Sequence, residues 1–300
     1  MSLANSVLSR RRFLTWAAVC AATWPTTARG SDLRVATIDW AVLETLLAIG
    51  VVPVAAAELV LFRRVAVEPE VPESVADIGL RGSPNYEALR LAKPDIIFSS
   101  NYYTWAEPKL RLCGPVESVS VYGTGEPPFT AAEKTAVTLA TATNRPGAGE
   151  RLVEDTRAAL AALRSQLSPL QGESVIPINL GDARHFRVFG ADSMFGGVVE
   201  RLGLRNAWTR PTRYSATAPV GLEALAEIDD AWIVLIPPIP PEARRVLPGS
   251  AFWSALPSVR AGRVVTLDPI DPFGALPAAR RFAHLLTAAL SDPDREHRFG

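Results

Sequence analysis

The sequence predicts an α/β protein of two Rossmann-like lobes with parallel-rich sheets, joined by one long backbone helix. Three observations carry this reading. Short apolar runs alternate with amphipathic segments in both halves of the 300 residues, the order strand, helix, strand implies parallel pairing beneath covering helices, and one unbroken amphipathic stretch lies at mid-chain.

Residues 33–38 read as the first strand. In 42–49, Leu43, Leu46, Leu47 and Ile49 fall near helical spacing, and Gly50 supplies the stop. Residues 51–56 read as the next strand. Ser83-Pro84-Asn85-Tyr86-Glu87 opens a short helix with Leu89 and Leu91 on its buried side, and Pro94 precedes a strand at 95–99. From 147 to 167, Leu152, Thr156, Ala159, Leu160, Leu163 and Leu167 share one helical face, while Glu150, Arg151, Glu154, Asp155, Arg157 and Arg164 occupy the others and Pro169 closes the segment. This is the predicted linking helix, residues 147–170, between an N-terminal lobe at 31–146 and a C-terminal lobe at 171–300. The second lobe repeats the alternation: strands at 175–180 and 186–189, a helix at 192–202 capped by Asp192 or Ser193, strands at 232–236 and 264–267, and a last helix at 274–290.

Residues 1–30 read as an address. Ser9-Arg10-Arg11-Arg12-Phe13-Leu14 precedes an apolar run at 15–24 and a zone of small residues, the layout of a secretory signal, and the paired arginines before Phe-Leu are those of twin-arginine export. The apolar run is too short to span a bilayer. Removing this segment leaves 27 basic against 31 acidic residues, and Cys113 as the single thiol, expected to be a small buried apolar residue.

Composition excludes several functions. Equal numbers of basic and acidic residues, 31 of each, argue against a nucleic-acid partner. Three dispersed histidines and two cysteines supply neither a multi-histidine metal site nor a disulfide framework. Phosphate-binding glycine loops, a dinucleotide fingerprint, H-E-x-x-H and G-x-S-x-G are all missing. Asp182 and His185 form the one candidate acid/base pair, which a secreted hydrolase would use. Aromatic residues are more telling: Tyr102, Tyr103 and Trp105 follow the strand at 95–99, and Trp40 follows the first strand, so all four sit at strand C-termini, where α/β folds collect ligands. Trp208, Trp232 and Trp253 are assigned to packing.

Several segments, in order along the chain, resemble the iron-siderophore branch of the helical-backbone (class III) periplasmic binding proteins, which feed ABC importers. They are Arg34-Val35-Ala36-Thr37-Ile38-Asp39-Trp40, Asp77-Ile78-Gly79-Leu80-Arg81, Leu91-Ala92-Lys93-Pro94-Asp95, Arg184-His185-Phe186-Arg187-Val188-Phe189-Gly190, Leu204-Arg205-Asn206-Ala207-Trp208 and Val259-Arg260-Ala261-Gly262-Arg263-Val264. Within that branch the chain is most similar to the ferric-hydroxamate binders. The resemblance implies a shallow ligand cleft between the lobes, little hinge closure, no cofactor, no directly bound metal and no catalysis. It implies that Arg81 and Tyr103 hydrogen-bond iron-coordinating oxygens, that Arg187, Tyr214, Ser215, Asp271 and Phe273 line the opposing wall, and that Glu87 and Glu223 meet an inner-membrane ABC permease. The implied protein is a periplasmic monomer carrying a ferric siderophore, hydroxamate or mixed citrate-hydroxamate. Arg187 and Asp271 depart from the branch's pattern and admit a more anionic chelate. The alternative is haem or corrinoid uptake, with Tyr102 or Tyr103 as a phenolate ligand to haem.

Overall fold

The computed structural model describes residues 33–213 and 216–291, all within one compact unit that begins at Leu33. The export signal expected over residues 1–30, and Tyr214 and Ser215 of the expected cleft, lie outside the described residues.

The chain runs through β1 (Val35–Thr37), α1 (Trp40–Ala48), β2 (Ala55–Ala56), α2 (Leu59–Val65), β3 (Ala76–Asp77), α3 (Tyr86–Leu91), β4 (Ile96–Ser99), α4 (Glu107–Leu110) and β5 (Val116–Ser118). The five strands form one sheet in the order β3-β2-β1-β4-β5, with every pair parallel. The chain leaves β1 on one side for β2 and β3, then returns on the other for β4 and β5. That reversal opens a crevice at the C-terminal ends of β1 and β4. Thr37 sits opposite both Ala56 and Phe98, so β1, β2 and β4 end level and deliver Asp39, Glu58 and Ser100 to the same edge. Leu91, expected on the buried face of α3, is exposed: the helix ends there and only Leu89 is buried.

α5 (Pro128–Ala142) and α6 (Ala148–Gln166) follow. Within the predicted linking stretch, α6 buries Leu152, Thr156, Leu160 and Leu163 as their spacing requires. A Cβ at Gly149 would lie 2.5 Å from the Ala136 carbonyl oxygen, so glycine is what lets α5 and α6 touch. After α6 come β6 (Ser174–Leu180), β7 (His185–Val188), α7 (Met194–Arg201), β8 (Arg205–Asn206), β9 (Thr217–Gly221), β10 (Ala231–Leu235), α8 (Pro241–Val246), α9 (Ala251–Ala255), α10 (Pro257–Arg260), β11 (Val264–Thr266) and α11 (Leu276–Ser291). Their sheet has the order β11-β10-β6-β7-β9, with β8 beside the start of β6. β11, β10, β6 and β8 are parallel, whereas β7 runs the other way and pairs antiparallel with both β6 and β9. The sheet is thus parallel-rich, but it departs from a Rossmann-like winding after β6. The cause is local: the Asp182 carboxylate accepts hydrogen bonds from the backbone N–H groups of Arg184 and His185, folding the chain straight back as a hairpin.

All strands of the first sheet precede α6 and all strands of the second follow it, yet one apolar core runs through both. It joins Val35 and Phe98 of the first sheet to Val175, Val234 and Val265 of the second, through Leu46, Phe129, Leu160, Phe195, Phe282 and Leu286 of the intervening helices. Phe195 stacks on Phe282 at 4.1 Å between ring centroids, and a run of ring contacts continues through Phe189 and Phe273 to Tyr122. Trp208 and Trp253 are buried and Trp232 packs partly buried, in the roles expected of them. Cys113, expected to be buried, is only partly so, with its thiol donating to the Tyr86 and Lys109 carbonyl oxygens. Among the described residues no helix is long and apolar enough to cross a membrane.

Candidate ligand-binding site

The C-terminal edge of the first sheet builds the site. Asp39 caps α1, accepting from the Val42 N–H at 3.1 Å through one oxygen and from the Ser100 hydroxyl at 2.7 Å through the other, which ties the end of β1 to the end of β4. Trp40, first residue of α1, is 4% exposed, and its indole N–H donates to the Ala57 carbonyl at 3.0 Å. The Arg81 guanidinium lies over this ring with 3.6 Å from its carbon to the ring centroid, while its Nε donates to Glu58 at 2.7 Å. Glu58 follows β2 with φ 59 and ψ 41, a left-handed conformation uncommon outside glycine, asparagine and aspartate. Trp40 therefore serves as the floor beneath Arg81.

Tyr103 closes the group. It is partly buried in the 3-10 turn Asn101–Tyr103 and hydrogen-bonds the Arg81 guanidinium. Burial, reinforced by the Asp39 charge and only partly offset by Arg81, pushes its phenol up to about 12. Burial works against the Arg81 charge, but the Glu58 hydrogen bond and surrounding negative charge outweigh it and hold the guanidinium above its ordinary pKa. Tyr102 and Trp105, on the same segment, are 51% and 53% exposed. Trp105 makes no ring contact among the described residues.

From the other half of the chain, the loop before α11 brings Asp271 and Phe273. Asp271 is 4% exposed; its Oδ1 accepts from the Phe273 N–H at 3.0 Å, and its Oδ2 has no hydrogen-bond partner among the described residues. Burial raises its pKa to about 6, against the Phe273 hydrogen bond and the Arg81 charge. Phe273 meets Tyr122 edge-on at 5.9 Å, and the exposed Arg187 sets its guanidinium carbon 5.6 Å from the Phe273 ring centroid. Beyond Arg187 opens a concavity of about 540 Å³ lined also by Asn179, Asp182 and His185. His185 Nδ1 and the Asp182 carboxylate are 3.0 Å apart, both exposed, and no hydroxyl or thiol hydrogen-bonds His185 among the described residues. The hydrolase arrangement therefore lacks its nucleophile there. Glu87 and Glu223 stand exposed in the first turns of α3 and of the 3-10 helix Leu222–Glu227.

Four residues at this site were not singled out from the sequence: Asp39, Glu44, Glu58 and Tyr122. Glu44 is fully buried; its Oε1 accepts from the backbone N–H groups of Ala275 and Ala278, so α1 caps α11 from across the core. Tyr122 donates to the Gly274 carbonyl at 2.6 Å, a second tie to the same turn. The signal for Glu44 was present: a lone carboxylate within Trp-Ala-Val-Leu-Glu-Thr-Leu-Leu-Ala, an otherwise almost wholly apolar helix. Among the described residues no group of three or more His, Cys, Asp or Glu side chains is placed to hold a metal ion.

A cleft at the strand ends of one sheet, faced by a loop from the second and joined by a continuous core, is the architecture of a periplasmic substrate-binding protein. The chain matches the periplasmic binding protein family model over residues 35–270 and belongs to that family; it is a binding protein and not an enzyme. It is 28% identical over 288 residues to the iron(3+)-hydroxamate-binding protein FhuD of Escherichia coli (strain K12), covering 95% of this chain and 97% of that one. The siderophore-binding protein FhuD from Vibrio cholerae, solved with Fe3+-Desferal bound, superposes with a TM-score of 0.82 at 27% identity over 87% of this chain and 98% of that one. FhuD2 from Staphylococcus aureus, solved with ferrioxamine B, shares the fold at a TM-score of 0.71 and 16% identity, over 86% of this chain and 98% of that one.

Proposed function

We propose that this protein captures a ferric siderophore of the hydroxamate class outside the cytoplasmic membrane and presents it to an ABC importer. The observation that carries the reading is the Arg81–Tyr103 pair, held over Trp40 by Glu58 at the ends of β1 to β4. Iron-bound hydroxamate oxygens carry partial negative charge, which a guanidinium and a neutral phenol both satisfy as donors. Tyr103, with its pKa near 12, stays a donor at physiological pH, which favours this role over that of a haem-ligating phenolate. The ligand arrives with its iron already chelated, so the protein supplies no metal ligand and no cofactor. The mixed citrate-hydroxamate class admitted above fits less well, because Asp39 and Asp271 put acid rather than base beneath the cleft.

In the same reading, residues 1–30 direct twin-arginine export to the periplasm, and the monomer is organised as lobes 31–146 and 171–300 about the segment 147–170. Ligand is shared between Arg81, Tyr103, Trp40, Tyr102 and Trp105 on one side and Arg187, Tyr214, Ser215, Asp271 and Phe273 on the other. Glu87 and Glu223 dock the permease. The test is a tryptophan-fluorescence titration of the mature protein with ferric hydroxamate, catecholate and citrate chelates and with hemin. Saturable quenching by the hydroxamate at the lowest concentration is expected; preference for hemin, with a tyrosinate-haem absorption band, overturns the assignment.

A further inference from the structure

Resting on the hydroxamate reading above, we infer that Asp271 makes the cleft sensitive to charge on the siderophore's frame, so that among ferric trihydroxamates of one shape a cationic ligand is favoured over a neutral one. Three buried carboxyl groups converge beneath the site: Asp39 after β1, Glu44 within α1 and Asp271 before α11. They differ in how they are satisfied. Asp39 has donors on both oxygens, from Val42 and Ser100. Glu44 accepts from both Ala275 and Ala278 through Oε1, its Oε2 has no partner among the described residues, and burial with the neighbouring Asp271 charge raises its pKa well above the ordinary carboxylate value. Asp271 has a single donor, the Phe273 N–H on Oδ1, and its Oδ2 is buried without a partner among the described residues.

The groups facing these carboxyls are Arg81, Tyr103 and Tyr122, with Tyr102 beyond Tyr122. Among the described residues Arg81 is the one cation whose charge acts on both Asp39 and Asp271, and it is already paired with Glu58. Arg187 approaches from the far side of Phe273 but is exposed, where solvent screens it. The Asp271 carboxyl, near 6, is ionised at pH 7.5, so the floor carries more negative than positive charge. A ferric trihydroxamate core is neutral, because three hydroxamate charges cancel Fe3+, and the charge that remains is that of the frame. An uncompensated carboxylate in a partly dehydrated cleft discriminates on that charge without touching it.

Ferrioxamine B, which keeps a free ammonium arm, and its N-acetyl derivative, the same chelate with that arm neutral, provide the test. Both are titrated by tryptophan fluorescence into wild type, Asp271→Asn and Asp271→Ser at pH 7.5, and into wild type at pH 5. The readout is the ratio of the two Kd values, which cancels any change in the fit of the shared iron core. In wild type at pH 7.5 the cationic ligand should bind about fivefold tighter or more, the size of a unit-charge interaction across roughly 10 Å of partly hydrated protein. The ratio should fall toward one in both variants, and in wild type at pH 5. A wild-type ratio of one, or a ratio that neither substitution alters, overturns the inference while leaving the carrier reading standing. Failure of wild type to bind either chelate overturns the carrier reading itself.

Discussion

Arg81 meets three constraints at once: a ring beneath it, a carboxylate at its edge and a phenol beside it. Arg81→Ala removes a charged donor and is expected to weaken ferric-hydroxamate binding by at least about 1.5 kcal/mol, read by fluorescence titration with the fold checked by circular dichroism. Arg81→Lys keeps the charge but loses the planar stack and the fork, and should fall between wild type and alanine. Tyr103→Phe should weaken binding by about 1 kcal/mol, and wild-type affinity should show no rise between pH 7 and 10, since the phenol remains protonated there. A phenolate ligand would strengthen with pH. Arg81 and Tyr103 were legible because sequence places them at strand ends and a family pattern names them. Glu58 was not: its place at the site depends on a left-handed backbone turn that no neighbouring glycine or proline announces.

At the level of elements, the N-terminus of α11 is fastened by α1 and by the loop after β5. Glu44→Ala leaves two buried N–H groups without an acceptor and is expected to destabilise by about 1–3 kcal/mol in urea unfolding, whereas Glu44→Gln keeps the acceptor and should cost far less. Asp271 contributes the opposite sign to a usual carboxylate. Its folded pKa lies above its ordinary 3.8, so the native state binds the proton more tightly, and stability falls as pH rises from 3.8 through about 6. Asp271→Asn should therefore raise stability at pH 7.5, by on the order of 2 kcal/mol, and flatten that slope. The helical elements read most clearly where a polar face contrasts with an apolar one, as in α6. α5 went unread, although Phe129, Ala132, Ala136 and Leu139 keep helical spacing, because its buried face is largely alanine and threonine and its start lies behind two prolines. The reversal of β7 against β6 and β9 was not legible, since burial patterning fixes faces and not strand direction.

For the molecule as a whole, the shared core predicts behaviour that two separately folded lobes would not show. Phe195 lies among Phe189, Phe282 and helices from both halves. Phe195→Ala is expected to cost about 3–5 kcal/mol, and differential scanning calorimetry should still show a single transition, because the largest apolar cluster is built from both halves and ties together the smaller clusters that each half holds by itself. For the same reason ligand binding should change the radius of gyration by less than about 1 Å in solution scattering, since domain motion is expected only where the interface between halves is small or polar. The core also bears on biosynthesis. Its members run from Val35 to Leu290, so the first strand waits for the last helix to leave the ribosome before their common interior can close. A route that moves finished proteins across a membrane suits such a chain. Delivered unfolded, it would have to join its most distant parts outside the cell's main supply of chaperones.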